Sequence, residues 1–149
     1  IEDLAKTQGL EGRDVLRASE CLSADVNAGV DPTFQSVHDK LNASFINRGI
    51  VVTKYTGARG KSGSSDAAAE VMGYVRRIFA KHDVIWQTGE LGKVDEGGGG
   101  TVAKYVAHLG VDVVDVGVPV LSMHAPYETV AKLDCYMTYK CMKAIFEQA

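Results

Sequence analysis

Long apolar runs are missing from this chain. The longest stretch without a formal charge is the twelve residues from Val116 to Tyr127, well short of the roughly 18 that a membrane-spanning helix needs. An excess of positive charge is missing too: sixteen Lys and Arg face nineteen Asp and Glu, for a net charge of -3. That balance provides no basic field for nucleic acid, so neither a membrane nor a nucleic-acid partner is expected. Cysteines number only three. Cys21 stands alone, and Cys135 and Cys141 are six positions apart in what reads as one helix, where six steps rotate about 600° and rise about 9 Å, keeping the thiols apart. There is no CxxC pair for structural zinc or redox work. Unbridged thiols fit a reducing compartment, and a cytoplasmic location is expected. The chain opens at Ile1 with neither an initiator methionine nor a signal peptide, so it is expected to be a piece of something longer.

What is present is an ordinary globular balance. The 149 residues are 46% hydrophobic and 23% charged, enough for one domain with a real core and too little for two. Residues 1–20 show no clear period. Cys21 to Val26 fits a short buried strand that carries a carboxylate at its end. Asn27 to Pro32 is a loop, and Phe34 to Phe45 is a short helix or an irregular excursion. Gly49 to Tyr55 is β-branched and reads as a strand, followed by a polar, glycine-containing loop from Thr56 to Ser65. With Ser64 or Ser65 as cap, a helix is predicted over Asp66–Lys81, with Val71, Met72, Val75, Ile78 and Phe79 on one face. Val84 to Gln87 is a short strand, Thr88 to Gly100 a glycine-rich loop, and Thr101 to Leu109 a helix stopped by Gly110. Val111 to Val116 is a strand and Gly117 to Pro126 a second apolar stretch. Glu128 to Glu147 is the closing helix, with Val130, Leu133, Met137, Cys141 and Ile145 toward the core. Strands alternating with amphipathic helices predict an α/β, three-layer sandwich with a mixed sheet.

Few residues look chemically active on pattern alone. The Gly97-Gly98-Gly99-Gly100-Thr101 segment precedes a helix, but it lacks the spaced glycines and the lysine of a P-loop and the GxGxxG of a dinucleotide fold. It reads either as a close approach of backbone to a ligand or another chain, or as a flexible turn. Asp25 closes one apolar run as a turn or cap residue or as a strand-end site residue. His124 follows another, Val118 to Met123, as a hydrogen-bonded structural histidine or a ligand. No spacing rule connects two residues 99 positions apart. His38, His82 and His108 read as surface residues.

Four stretches in order add a resemblance. Leu22-Ser23-Ala24-Asp25-Val26-Asn27, Thr53 to Lys61, Gly89 to Thr101, and Leu121-Ser122-Met123-His124-Ala125-Pro126-Tyr127-Glu128 with Lys132 to Lys140 resemble the aminopeptidase I / aspartyl aminopeptidase family. The likeness runs from about residue 15 to the end. It implies a zinc exopeptidase with two Zn²⁺ per complete site, a peptide substrate, and assembly into a homo-oligomer, a dodecamer in that family. It further implies that Asp25 binds one metal and His124 the other. Gly98, Gly99, Thr101 and Met123 line the substrate cleft, and Lys54, Arg59 and Lys61 are candidate readers of substrate charge. The family's other site parts have no counterpart here. Residues 1–149 therefore resemble the C-terminal segment of a metalloaminopeptidase catalytic domain, with the rest of the site coming from an upstream segment or companion chain. The alternative is a non-catalytic fragment or subunit that completes an assembly. Where the acidic-substrate branch has a histidine three residues after the metal aspartate, this chain has Ala28, which implies a neutral or broad preference.

Overall fold

A computed structural model describes residues 1–56, 65–93, 96 and 98–148. Its centre is a mixed sheet. Strand β1 (Glu20–Ala28) is an edge strand, parallel to β6 (Asp112–Leu121) over nine residue pairs, from Glu20 opposite Asp112 to Ala28 opposite Val120. On the other side of β6 lies β2 (Ile50–Thr53), antiparallel to it, and beyond that β5 (Trp86–Thr88), parallel to β2. The order is β1-β6-β2-β5, and the short strand β7 (Thr129–Val130) pairs antiparallel with the end of β6. The strands β3 (Tyr55–Thr56) and β4 (Ser65–Asp66) form a separate two-stranded sheet.

Helices cover both faces, as the α/β sandwich requires. On one face α3 (Ala69–Lys81) and α5 (Lys132–Phe146) pack Val75, Ile78, Phe79, Cys141 and Ala144 against Ile50, Val52, Val114 and Val116. On the other, α4 (Ala103–Ala107) brings Ala103 against Val111 and Val113, with Leu16 of α2 (Gly12–Arg17) and Cys21 alongside. A strand covered on both faces needs apolar residues at nearly every position, and β6 has them, with Asp115 the exception inside its buried run.

Several boundaries differ from the sequence reading. Residues 1–20 contain two short helices, α1 (Glu2–Thr7) and α2, too short to show a period. Helix α3 begins at Ala69 because Ser65 and Asp66 pair with Thr56 and Tyr55 instead of capping and opening it; the alternative cap, Ser64, lies outside the described residues. The apolar runs on either side of Gly117 are one strand. Gly29 N–H donates to the Val120 carbonyl at 2.9 Å, so alternate residues of β6 turn their backbone toward β1. Pro119 turns the other way, past the last β2 pair at Gly117, where its missing N–H costs no ladder bond. The closing helix starts at Lys132, since Thr129 and Val130 are drawn into pairing with β6. That leaves Val130 exposed, outside the core stripe. Phe34 to Phe45 is irregular apart from one 3-10 turn at Gln35–Val37.

Candidate metal-binding cleft

The parallel strands β1 and β6 finish at the same end of the sheet, where open α/β sheets place ligands. Asp25 lies near the end of β1, opposite Gly117, and its Oδ1 accepts the adjacent Val26 N–H at 2.8 Å. His124 lies three residues beyond the last residue of β6. Both side chains are exposed, and both line a single cleft of about 460 Å³. The glycine-rich segment forms another part of its wall through Gly98, Gly99, Gly100 and Thr101, and Met123 and His38 contribute as well.

The fold thus brings six of the nine expected site residues, Asp25, His124, Gly98, Gly99, Thr101 and Met123, around one cavity. Lys54 is not among the lining residues; it pairs with Asp66 beside the β3–β4 ribbon. Lys61 and Arg59 lie outside the described residues.

Two residues were missed. The expectation of a surface His38 is overturned: the ring is buried on the cleft wall, and its Nδ1 has no hydrogen-bond partner among the described residues. A lone histidine in a polar, irregular segment carries no pattern that foretells this. Asp115 is the other. It lies opposite Ser23 on β1 and Thr53 on β2, on the face of the sheet that Asp25 shares through the two-residue repeat of a strand. Burial pushes its carboxyl above the ordinary range, hydrogen bonds from Ser23 and Thr101 pull it back down, and the Asp25 charge pushes it up again. The balance is upward. A carboxylate inside the β-branched run Val113 to Val116 was the available signal, since Asp is seldom fully buried without a partner.

A carboxylate and an imidazole suit zinc by donor chemistry. Among the described residues, however, no group of three or more His, Cys, Asp or Glu side chains is placed to hold a metal. Asp25 and His124 therefore fit zinc as part of a donor set.

The mixed α/β sheet carries a carboxylate, an imidazole and a glycine wall at its strand ends, and comparison with known proteins specifies the family. The family described as aminopeptidase I zinc metalloprotease (M18) matches residues 2–146, and the chain belongs to that family. It is 51% identical over 129 residues to a probable M18 family aminopeptidase 1 of Clostridium acetobutylicum, covering 87% of this chain and 28% of that protein. The crystal structure of an M18 aminopeptidase from Thermotoga maritima superposes with a TM-score of 0.86 at 43% identity, covering 94% of this chain and 32% of that one. Aminopeptidase I of C. acetobutylicum superposes with a TM-score of 0.85 at 47% identity, covering 93% and 30%. The chain spans about three tenths of the length of these relatives.

Proposed function

We propose that this chain is the C-terminal segment of the catalytic domain of a zinc aminopeptidase that removes N-terminal residues from peptides, with Asp25 and His124 each donating to one of two neighbouring metals. The observation that carries the reading is the convergence of Asp25, His124 and the Gly98–Thr101 segment on one cleft from positions far apart in sequence. Catalytic zinc normally takes about three protein ligands, so the remaining donors are assigned to a segment or chain that joins this one.

Zinc, when bound, supplies Lewis-acid polarisation of the scissile carbonyl and a hydroxide nucleophile at neutral pH. The chain's own residues do the rest of the work assigned to it. Asp25 and His124 orient the metals from two strand ends. Gly98 and Gly99, without side chains, let a peptide backbone approach closely. Thr101 and Met123 bound the space for the substrate, and Lys61 is its candidate charge reader. The homo-oligomeric state and a neutral or broad N-terminal preference belong to the same reading.

The test joins the chain to its upstream partner and measures hydrolysis of aminoacyl amides alongside zinc content. Asp25→Ala and His124→Ala each abolish turnover and lower zinc content while the circular dichroism spectrum stays unchanged. The chain alone binds zinc weakly and shows no turnover. Full activity in the joined His124→Ala variant rejects the assignment. An inactive joined protein that still associates favours the second reading, a non-catalytic piece of an assembly, which the lack of a third donor among the described residues supports.

A further inference from the structure

His124 sits in a hairpin. β6 ends at Leu121, and the chain returns as β7, with Val120 opposite Val130 and Leu121 opposite Thr129. The seven residues 122–128 form the connection. Two of them, Ser122 at φ 59° and His124 at φ 67°, occupy the left-handed region without being glycine. Non-glycine residues are uncommon in that region, histidine being among the more tolerant, and contacts of the backbone help to hold them there.

Two hydrogen bonds hold this backbone. Ala125 N–H donates to the Ser122 carbonyl at 3.0 Å, closing the turn around Met123 and His124. His124 N–H donates to Glu128 Oε1 at 2.5 Å. The second has a carboxylate oxygen as its acceptor and lies at the exposed surface. Glu128 immediately precedes β7, so its own backbone is fixed by the pairing of the next two residues with β6. It is not among the described residues that line the cleft. Its carboxylate thus grips the main chain of His124, a residue that itself lines the cleft.

We propose that Glu128 is a positioning residue: by binding the His124 N–H it keeps His124 in its left-handed conformation and so aims the imidazole into the cleft. If the clamp were released, the backbone would relax toward the ordinary negative φ range, and the Cα–Cβ bond would swing away from the cleft. The proposal rests on the reading of His124 as a metal donor and adds the residue through which that donor is aimed. Support of this kind around a ligand typically changes metal affinity by about 10–100-fold when removed.

The experiment compares Glu128→Ala, Glu128→Gln and His124→Ala in the complete protein that carries this segment. It measures zinc affinity by competition with a chelator, exchange of the His124 amide proton by NMR, and the thermal midpoint of the metal-free protein, since weaker zinc binding by itself lowers the midpoint of the loaded one. Glu128→Ala is expected to weaken zinc binding by about 10–100-fold with no shift in thermal midpoint, and to speed His124 amide exchange by about tenfold or more. Glu128→Gln keeps an acceptor oxygen and is expected to recover zinc affinity to within about threefold of the parent. Unchanged affinity and exchange in Glu128→Ala overturn the proposal. So does a Gln variant as weak as Ala with a still-protected amide, because the carboxylate would then be binding metal directly. If Glu128→Ala lowers the thermal midpoint, Glu128→Asp, one methylene shorter, must lose affinity at an unchanged midpoint or the clamp is rejected. Retention of zinc by His124→Ala defeats the metal assignment instead, and the amide exchange still decides whether Glu128 holds the turn.

Discussion

The carboxylate of Asp134, in the first turn of α5, accepts the backbone N–H groups of Asn47 at 2.6 Å and Gly49 at 2.7 Å. The side chain is completely buried, and the two bonds tie the closing helix to the loop that leads into β2, more than 80 positions away in sequence. Hydrogen bonds to a charged acceptor contribute about 1.5–3 kcal/mol each, and donors left buried and unpaired cost more. Asp134→Ala is therefore expected to destabilise the protein by about 3 kcal/mol or more, read as a fall in urea midpoint. Asp134→Asn keeps one acceptor oxygen and should fall between the two.

The cysteines should react in a fixed order. Cys135 is exposed, Cys21 is half-buried and Cys141 is fully buried. Burial pushes the Cys141 thiol up to about 12, and burial followed by the charge of Asp115 raises Cys21. Since the thiolate is the reactive form, a thiol reagent at neutral pH should modify Cys135 first, Cys21 slowly and Cys141 only on unfolding. Rapid modification of all three thiols in the native protein would contradict the packing of α5 on α3 and β6.

What the sequence revealed about the fold followed the strength of its local patterns. The stripe Val75, Ile78 and Phe79 marked α3, and the β-branched run from Val111 marked β6, because burial imposes those periods directly. Where an element exists only through its partner, the pattern was silent. Thr129 and Val130 look like the start of a helix until β6 offers them a ladder, and Ser65 looks like a cap and Asp66 like the first helical residue until β3 pairs with them. The site divides in the same way. Asp25 and His124 came from motif resemblance, since nothing in their spacing joins them. His38 reaches the cleft through an irregular segment whose path is set by tertiary contacts such as Val30 N–H to the Ser44 carbonyl.

Asp115 should make stability depend on pH in the direction opposite to a salt-bridged carboxylate. Its carboxyl lies above the ordinary 3.8 in the folded protein, so within that window the folded state binds more protons than the unfolded one. By linkage, stability then falls as pH rises from about 3.8 through the raised value, and the loss persists above it. Asp115→Asn can still pair with Ser23 and Thr101 but does not titrate. Denaturation across this pH range should show a flatter profile for the variant, with its gain over the parent confined to pH above the start of the window. Parallel profiles would show that Asp115 titrates alike in both states.

Gly117 couples the packing of β6 to the end of β1 that carries Asp25. It lies directly opposite Asp25, and a Cβ added there would stand 2.8 Å from the Asp25 carbonyl oxygen, 3.0 Å from the Val26 carbonyl carbon and 3.2 Å from the Asn27 nitrogen. All three atoms are backbone, so no rotamer change can relieve the contact and the two strands must separate. Overpacking of this kind costs about 1–3 kcal/mol, so Gly117→Ala should lower the unfolding free energy by that much, read from the fall in denaturation midpoint. Because the displaced segment carries Asp25, zinc affinity in the complete protein should fall as well, by more than in a core variant of equal stability loss remote from the cleft, such as Ile78→Val. Equal zinc affinity in the two variants would mean that the position of β1 at Asp25 does not govern metal binding.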